Sequence, residues 1–257
     1  MSTFVIAEAG SCHDGDIYRA YELIYKAYAA GADACKFQYW SSAVRLAERR
    51  GASDYFPVYF KYRMPDWWLP ELKGVCEAWG IEFMTTCYLP EDIEIIEPFV
   101  KRFKIASFEA RDTDFVDAHG QYGKQVIIST GMQTEDEWPD TLTPEIDDLK
   151  LLHCVSAYPC PLEQASLGGI LDGYSDHTHN VLTGALAVAA GAKILEVHFR
   201  LDDTDPANPD YATALSPGQL KDYIALVRQA EVMMGDGVKK PQPAEEAMMR
   251  YRVRNGT

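Results

Sequence analysis

The chain has 257 residues, 47% hydrophobic, 12% aromatic and 25% charged, a globular composition that excludes a disordered or fibrous chain. Its 24 Lys and Arg against 39 Asp and Glu give a formal charge of −15, which repels a phosphate backbone and argues against nucleic acid as a partner. No stretch approaches the roughly 18 apolar residues of a membrane span, and the N-terminus has no basic-then-apolar leader, so a cytoplasmic protein is expected.

In chain order, short apolar runs predict strands at Thr3–Ala7, Ala32–Phe37, Glu82–Thr86, Arg102–Ala106, Gln125–Ser129, Leu149–Cys154, Leu171–Ser175 and Lys193–His198. Helical patterns fall between them, at Ile17–Ala30, Trp67–Trp79, Pro90–Val100, around Thr134–Trp138, at Thr183–Ala190 and at Pro217–Met234. Ala30-Gly31-Ala32 and Ala190-Gly191-Ala192 place a glycine where a helix must end before the next strand. Strands alternating with helices predict a parallel sheet, and eight of them predict a (β/α)8 TIM barrel. A doubly wound sheet is the alternative, but no glycine-rich phosphate fingerprint follows any strand. No linker divides the chain, so residues 1–257 are expected to form a single domain. It would carry an irregular insertion at about 39–65, rich in Arg, Tyr and Ser, and a basic end at 248–257. The six cysteines lack metal or redox spacing and are expected as reduced thiols.

Barrel chemistry belongs at the C-terminal ends of the strands. Those ends supply Glu8, Lys36 with Gln38, Thr85 with Thr86, and Lys104 with Ser107 and Glu109. Next come Ser129 and Thr130, Ser156 and Tyr158, Ser175 with Asp176 and His177, and finally His198. Lys36 and Lys104 each sit inside an apolar run, where lysine is rarely buried without a partner. Either they snorkel at a strand edge, or they hold a phosphate or carboxylate together with the nearby hydroxyls. His177 and His198 close neighbouring strands, and such a pair suits a borderline divalent metal. Glu196, two residues before His198, either orients that ligand or belongs to a structural ion pair. Glu109 is either a solvated carboxylate or, beside two lysines and a metal, a group placed to move a proton. His13 is a candidate to line the site from the first loop, and His153 is expected to be structural.

The spaced motifs are Gly31-Ala-Asp-Ala-Cys-Lys-Phe-Gln38, Phe103-Lys-Ile-Ala-Ser107, Ser129-Thr-Gly-Met132 and Leu152-His-Cys154 with Tyr158-Pro159. Gly173-Tyr-Ser-Asp-His-Thr178, Val197-His-Phe199 and Pro209-Asp210 complete them. From Ile6-Ala7-Glu8 to the 235–241 segment, the chain resembles the barrel domain of the N-acetylneuraminate (sialic acid) synthase family. The resemblance implies metal-dependent condensation of phosphoenolpyruvate with an aldose or related aldehyde, giving a 2-keto-3-deoxy sugar acid and phosphate. By matching position, it implies that Lys36, Thr86, Lys104, Ser107, Ser129 and Ser175 hold phosphoenolpyruvate. His177 and His198 would ligate the metal, normally Mn²⁺, with Mg²⁺ or Co²⁺ as alternatives. Gln38, Glu109, Tyr158 and Asp210 would face the acceptor, with Glu8 close to the reacting centre.

The chain departs from the family pattern at Cys12-His13-Asp14-Gly15, Thr85-Thr86-Cys87-Tyr88, Ser107-Phe108-Glu109 and Tyr211-Ala212. It also stops where the family continues into an antifreeze-like domain, which in family dimers sends an arginine to the partner's acceptor site. The expected partners are therefore small-molecule substrates and either a homodimer or a separate domain protein. The acceptor half of the site is altered, leaving open a modified-sugar, phosphorylated or nucleoside-derived aldehyde. Arg45, Arg49, Arg50, Lys61 and Arg63 in the insertion are a candidate phosphate cluster, and a non-catalytic sugar-acid-binding barrel is the remaining alternative.

Overall fold

Each inward position of a barrel strand recurs every second residue, and in this chain that alternation separates plug from site. The computed structural model describes residues 2–134, 136–137 and 146–253. Eight strands form a closed parallel barrel in sequence order. They are β1 (Phe4–Gly10), β2 (Ala34–Tyr39), β3 (Glu82–Cys87), β4 (Arg102–Ile105), β5 (Gln125–Ser129), β6 (Leu149–Cys154), β7 (Gly173–Asp176) and β8 (Ile194–His198). β8 pairs with β1, aligning Glu8 with His198.

Ile6, Ala34, Met84, Ile127, Leu152 and Ile194 pack as a plug inside the barrel. Two residues further along the same strands stand Glu8, Lys36, Thr86, Ser129, Cys154 and Glu196, all buried. The period of 2 thus converts an apolar floor into a polar layer within one step. Alternate residues such as Val5, Phe37, Phe83, Phe103 and Tyr174 point the other way, into the larger core beneath the helices.

Helix α1 (Ile17–Ala30) starts where the Asp16 side chain accepts from the Tyr18 N–H, and it ends at Gly31 in left-handed backbone. It buries Ala20, Leu23, Ile24 and Ala27, one face of a 3.6-residue period. The long helix Pro217–Met234 repeats that spacing with Leu220, Tyr223, Ile224 and Val227 behind a Ser216–Gln219 capping box. Helices at Trp68–Trp79, Asp92–Ile96 and Thr183–Ala189 also fall where the periodicity predicts them, and a further helix occupies Thr113–Gly120. The pattern around Thr134–Trp138 falls in part outside the described residues.

The insertion differs from expectation, because it is ordered and helical rather than irregular. It folds as two short helices, Ala43–Arg49 and Phe56–Lys61, joined through a 3-10 turn at Ser53–Tyr55. Trp40, Ala43, Leu46, Tyr62, Tyr88 and Leu89 form a separate apolar cluster beneath it. The insertion therefore packs over the barrel mouth. Among the described residues no helix is long and apolar enough to cross a membrane, and all six cysteines are free and buried.

Candidate active site

The polar layer opens upward into one cavity of about 930 Å³, near the upper end of the range for small-molecule sites. Of the residues that the resemblance assigns to the phosphoenolpyruvate, metal or acceptor positions, all line it except Thr86. Thr86 lies behind Lys36 and accepts a hydrogen bond from its Nζ at 2.9 Å, so it positions the lysine.

The floor is a four-membered charge cluster. Lys36 Nζ lies 2.7 Å from Glu8 and 3.9 Å from Glu196, and Lys104 Nζ lies 3.5 Å from the other Glu196 oxygen. All four groups are buried. Burial opposes the charge on Lys36, yet Glu196 and Glu8 outweigh it and raise its pKa. Lys104 is lowered, because burial outweighs its attraction to Glu196. The two lysines overcome burial at Glu196 and bring it down to about 2, whereas burial dominates at Glu8 and raises it. Of the two roles weighed for Glu196, the contacts favour ion pairing: its neighbours are the lysines and the Ser175 hydroxyl at 3.4 Å.

An oxygen-rich cradle adjoins Lys104, whose Nζ donates to Ser129 Oγ at 2.7 Å and to the Ile105 carbonyl at 2.9 Å. The Gly131 N–H donates to Ser107 Oγ at 3.1 Å. A Cβ at Gly131 would run into Ser107, Cys154 and Ser156, so only glycine lets the backbone approach this cradle.

On the opposite side, the rings of His177 and His198 have centroids 5.3 Å apart, and Tyr158 lies 4.3 Å from His177. A carbonyl can only accept, so the 2.8 Å contact between His177 Nδ1 and the Val155 oxygen places the proton on Nδ1. Burial, assisted by His198, lowers His177 to about 4. The imidazole is therefore neutral, with its Nε2 lone pair available. His198 Nδ1 is buried without a hydrogen-bond partner, 3.7 Å from Asp210. Asp210 is itself held by the Ser11 N–H and hydroxyl at 2.9 and 2.8 Å. Gly10 makes this possible: its φ is +53°, and a Cβ there would overlap the Asp210 carboxylate. Among the described residues no set of three His, Cys, Asp or Glu side chains converges as a metal site.

Above the cradle, Glu109 Oε1 accepts from Arg50 Nη2 and Nε at 2.7 and 3.1 Å. Its Oε2 is buried without a partner, and burial raises the pKa of the carboxyl against the pull of Arg50. His13 does not reach the cavity. It is fully buried against Trp68, with ring centroids 5.1 Å apart. His153 sits outside the barrel beside Tyr174. The sequence pattern did not single out Ser11, Trp40, Tyr59 or Tyr88, which also line the cavity. Their only signal was membership of the aromatic insertion or the departing loops.

A closed parallel barrel with buried lysines, hydroxyls and paired histidines at its C-terminal mouth defines an anion-binding (β/α)8 barrel of the enzyme type. The chain belongs to the NeuB family, whose model matches residues 23–239. It is 34% identical to the N,N'-diacetyllegionaminic acid synthase of Legionella pneumophila, over 95% of this chain and 77% of that protein. It is 30% identical to the N-acetylneuraminate-9-phosphate synthase of Mus musculus, over 95% and 74%. The crystal structure of N-acetylneuraminic acid (sialic acid) synthetase from Leptospira borgpetersenii, in complex with citrate, superposes with a TM-score of 0.90 at 28% identity. That match covers 98% of this chain and 92% of that one.

Proposed function

We propose that the chain condenses phosphoenolpyruvate with an aldehyde acceptor, releasing phosphate and forming a 2-keto-3-deoxy sugar acid. The observation that carries this reading is the single cavity holding two buried lysines at one side and two imidazoles, one of them fixed neutral, at the other. Family membership supports it, since the similar proteins are named as synthases of sialic-acid-type sugars.

Lys36, Lys104 and the Ser107, Ser129 and Gly131 cradle supply the donors that a trianionic substrate needs. Their charges are already balanced by Glu8 and Glu196, so the bound trianion calls for further positive charge. The available Nε2 of His177 and the unpartnered, buried His198 fit a divalent ion, Mn²⁺ by preference and Mg²⁺ or Co²⁺ otherwise, with remaining positions left to non-protein ligands. When bound, such an ion supplies positive charge and polarises a carbonyl oxygen.

In the reaction, C3 of phosphoenolpyruvate forms a bond to the aldehyde carbon, whose oxygen takes a proton. Water then adds at C2 and gives up its proton, and the tetrahedral intermediate loses phosphate by C–O cleavage. Glu109 Oε2, open and raised in pKa, carries the proton. Gln38, held by Glu8 at 3.1 Å, orients the acceptor with Tyr158 and Asp210. Calorimetric titration tests the assignment. Lys36→Met and Lys104→Met are expected to lose phosphoenolpyruvate binding, and His177→Ala to lose Mn²⁺ binding. A wild-type protein that does not bind phosphoenolpyruvate contradicts the reading.

A further inference from the structure

The functional reading, on which this inference rests, leaves the outer half of the cavity and its acceptor open. The insertion carries Arg45, Arg49, Arg50, Lys61 and Arg63 towards the mouth, a set suited to a terminal phosphate on the acceptor. Each of these cations already has a partner. Arg45 pairs with Glu91, Arg49 with Asp112 at 2.6 Å and Lys61 with Asp205 at 3.1 Å. Arg63 donates to the Ser41 carbonyl at 2.9 Å. Arg50 places two N–H groups on Glu109 Oε1, and the Tyr88 and Phe108 rings lie 4.7 and 5.1 Å from its guanidinium carbon.

Only Arg49 and Arg50 of this set line the cavity, and their carboxylate partners line it with them. A phosphate seated there would meet Glu109 and Asp112 at close range, and like charges brought together in a cleft of low polarity repel strongly. Arg45, Arg49, Arg50 and Lys61 therefore serve to fasten the insertion onto the barrel loops, and Arg63 ties the insertion to its own start. What the wall offers a ligand instead is the aromatic surface of Trp40, Tyr55, Tyr59, Tyr88 and Phe108.

We propose that the acceptor aldehyde carries no terminal phosphate: its far end is uncharged and lies against the aromatic wall, and Arg50, neutralised by Glu109, is the residue that sets this preference. The mouse relative is named for a 9-phosphate product; this chain takes the unphosphorylated kind.

Titrating inorganic phosphate into enzyme saturated with phosphoenolpyruvate tests the charge argument before the acceptor is known. No second site is expected in the wild type. Glu109→Gln, which releases Arg50, is expected to gain one, and Glu109→Gln/Arg50→Gln to lose it again. Rates with N-acetylmannosamine and its 6-phosphate give a second test, with kcat/KM lower for the ester by about tenfold or more.

A second phosphate site in the wild type that Arg50→Gln removes, or equal or better use of the ester, overturns the proposal. A folded Glu109→Gln protein that gains no site overturns the role given to Arg50. If that variant does not fold, or neither acceptor turns over, the wild-type titration decides. Failure to bind phosphoenolpyruvate at all falls on the functional reading instead. Phosphate titrated into the unliganded protein then decides this one, a single site per chain supporting it and two sites contradicting it.

Discussion

At Glu109 one carboxylate oxygen is occupied by Arg50, while the other is buried with no partner. In the proposed reaction that division would let a single side chain anchor the insertion and still exchange a proton with a bound substrate. Glu109→Gln keeps the shape but removes the exchangeable proton. Turnover is expected to fall by about 100-fold or more, with phosphoenolpyruvate affinity retained in a calorimetric titration. Unchanged turnover would remove Glu109 from the chemistry. The lysines of this site were legible in the sequence because each interrupts an apolar run, and the histidines because they close neighbouring strands. Arg50 was legible only as a candidate phosphate ligand, because its pairing with Glu109 depends on a partner 59 residues away. Glu196 was only half legible: its position on the strand face was clear, but its lysine partners become visible only when the barrel closes.

Among the elements, the loop after β5 carries the closest backbone approach in the site. Gly131→Ala would push a methyl group into Ser107, Cys154 and Ser156. Phosphoenolpyruvate affinity is expected to drop by about tenfold or more, since overpacking typically costs about 1–3 kcal/mol, with far-UV circular dichroism unchanged. Wild-type affinity would show that the cradle does not hold the substrate. The insertion is fastened in a comparable way, through buried Asp92, which accepts from the Ser41 N–H at 3.1 Å. Asp92→Ala leaves that N–H without its carboxylate, a loss of about 1–3 kcal/mol. Hydrogen exchange is then expected to accelerate over residues 41–62 while the strands stay protected. Uniform acceleration would mean that the insertion is not a separable layer. The strands and long helices were predictable because periods of 2 and 3.6 persist over several turns. The insertion's helices were not, because each is under two turns and packing on Trp40 and Tyr88 stabilises them.

Across the whole molecule, stability depends on keeping buried imidazoles neutral. Burial lowers His13, His119 and His177 from 6.5 to about 4. Their unfolded values stay near 6.5, so between those limits these three sites bind more protons in the unfolded chain than in the native one. The contribution of these three sites is therefore fully present above about pH 6.5 and is lost as the pH falls towards 4. Buried Asp92 and Asp176, raised by burial from 3.8 to about 6, act in the opposite sense over the same interval. Glu196, lowered to about 2 by its lysines, extends the loss below about 4.5. Urea unfolding of the wild type and of a histidine variant, in the presence of a chelator, isolates the imidazole contribution. His119→Phe, seated between Phe103 and Phe115, is expected to reduce the slope by about one proton. A slope unchanged between wild type and variant would contradict the assignment.

The acidic surface makes the buried lysines and the paired histidines the places where an anionic substrate can settle, and the central claim is that they join it to an aldehyde. The most direct test is phosphate release from phosphoenolpyruvate with Mn²⁺, run against N-acetylmannosamine, its dideoxy-diamino relatives, simple aldoses and nucleoside aldehydes. Release is expected only when acceptor and metal are both present. The product mass should equal phosphoenolpyruvate plus acceptor plus water, less phosphoric acid. Release that ignores the acceptor, or none from any acceptor while phosphoenolpyruvate is bound, would contradict the account.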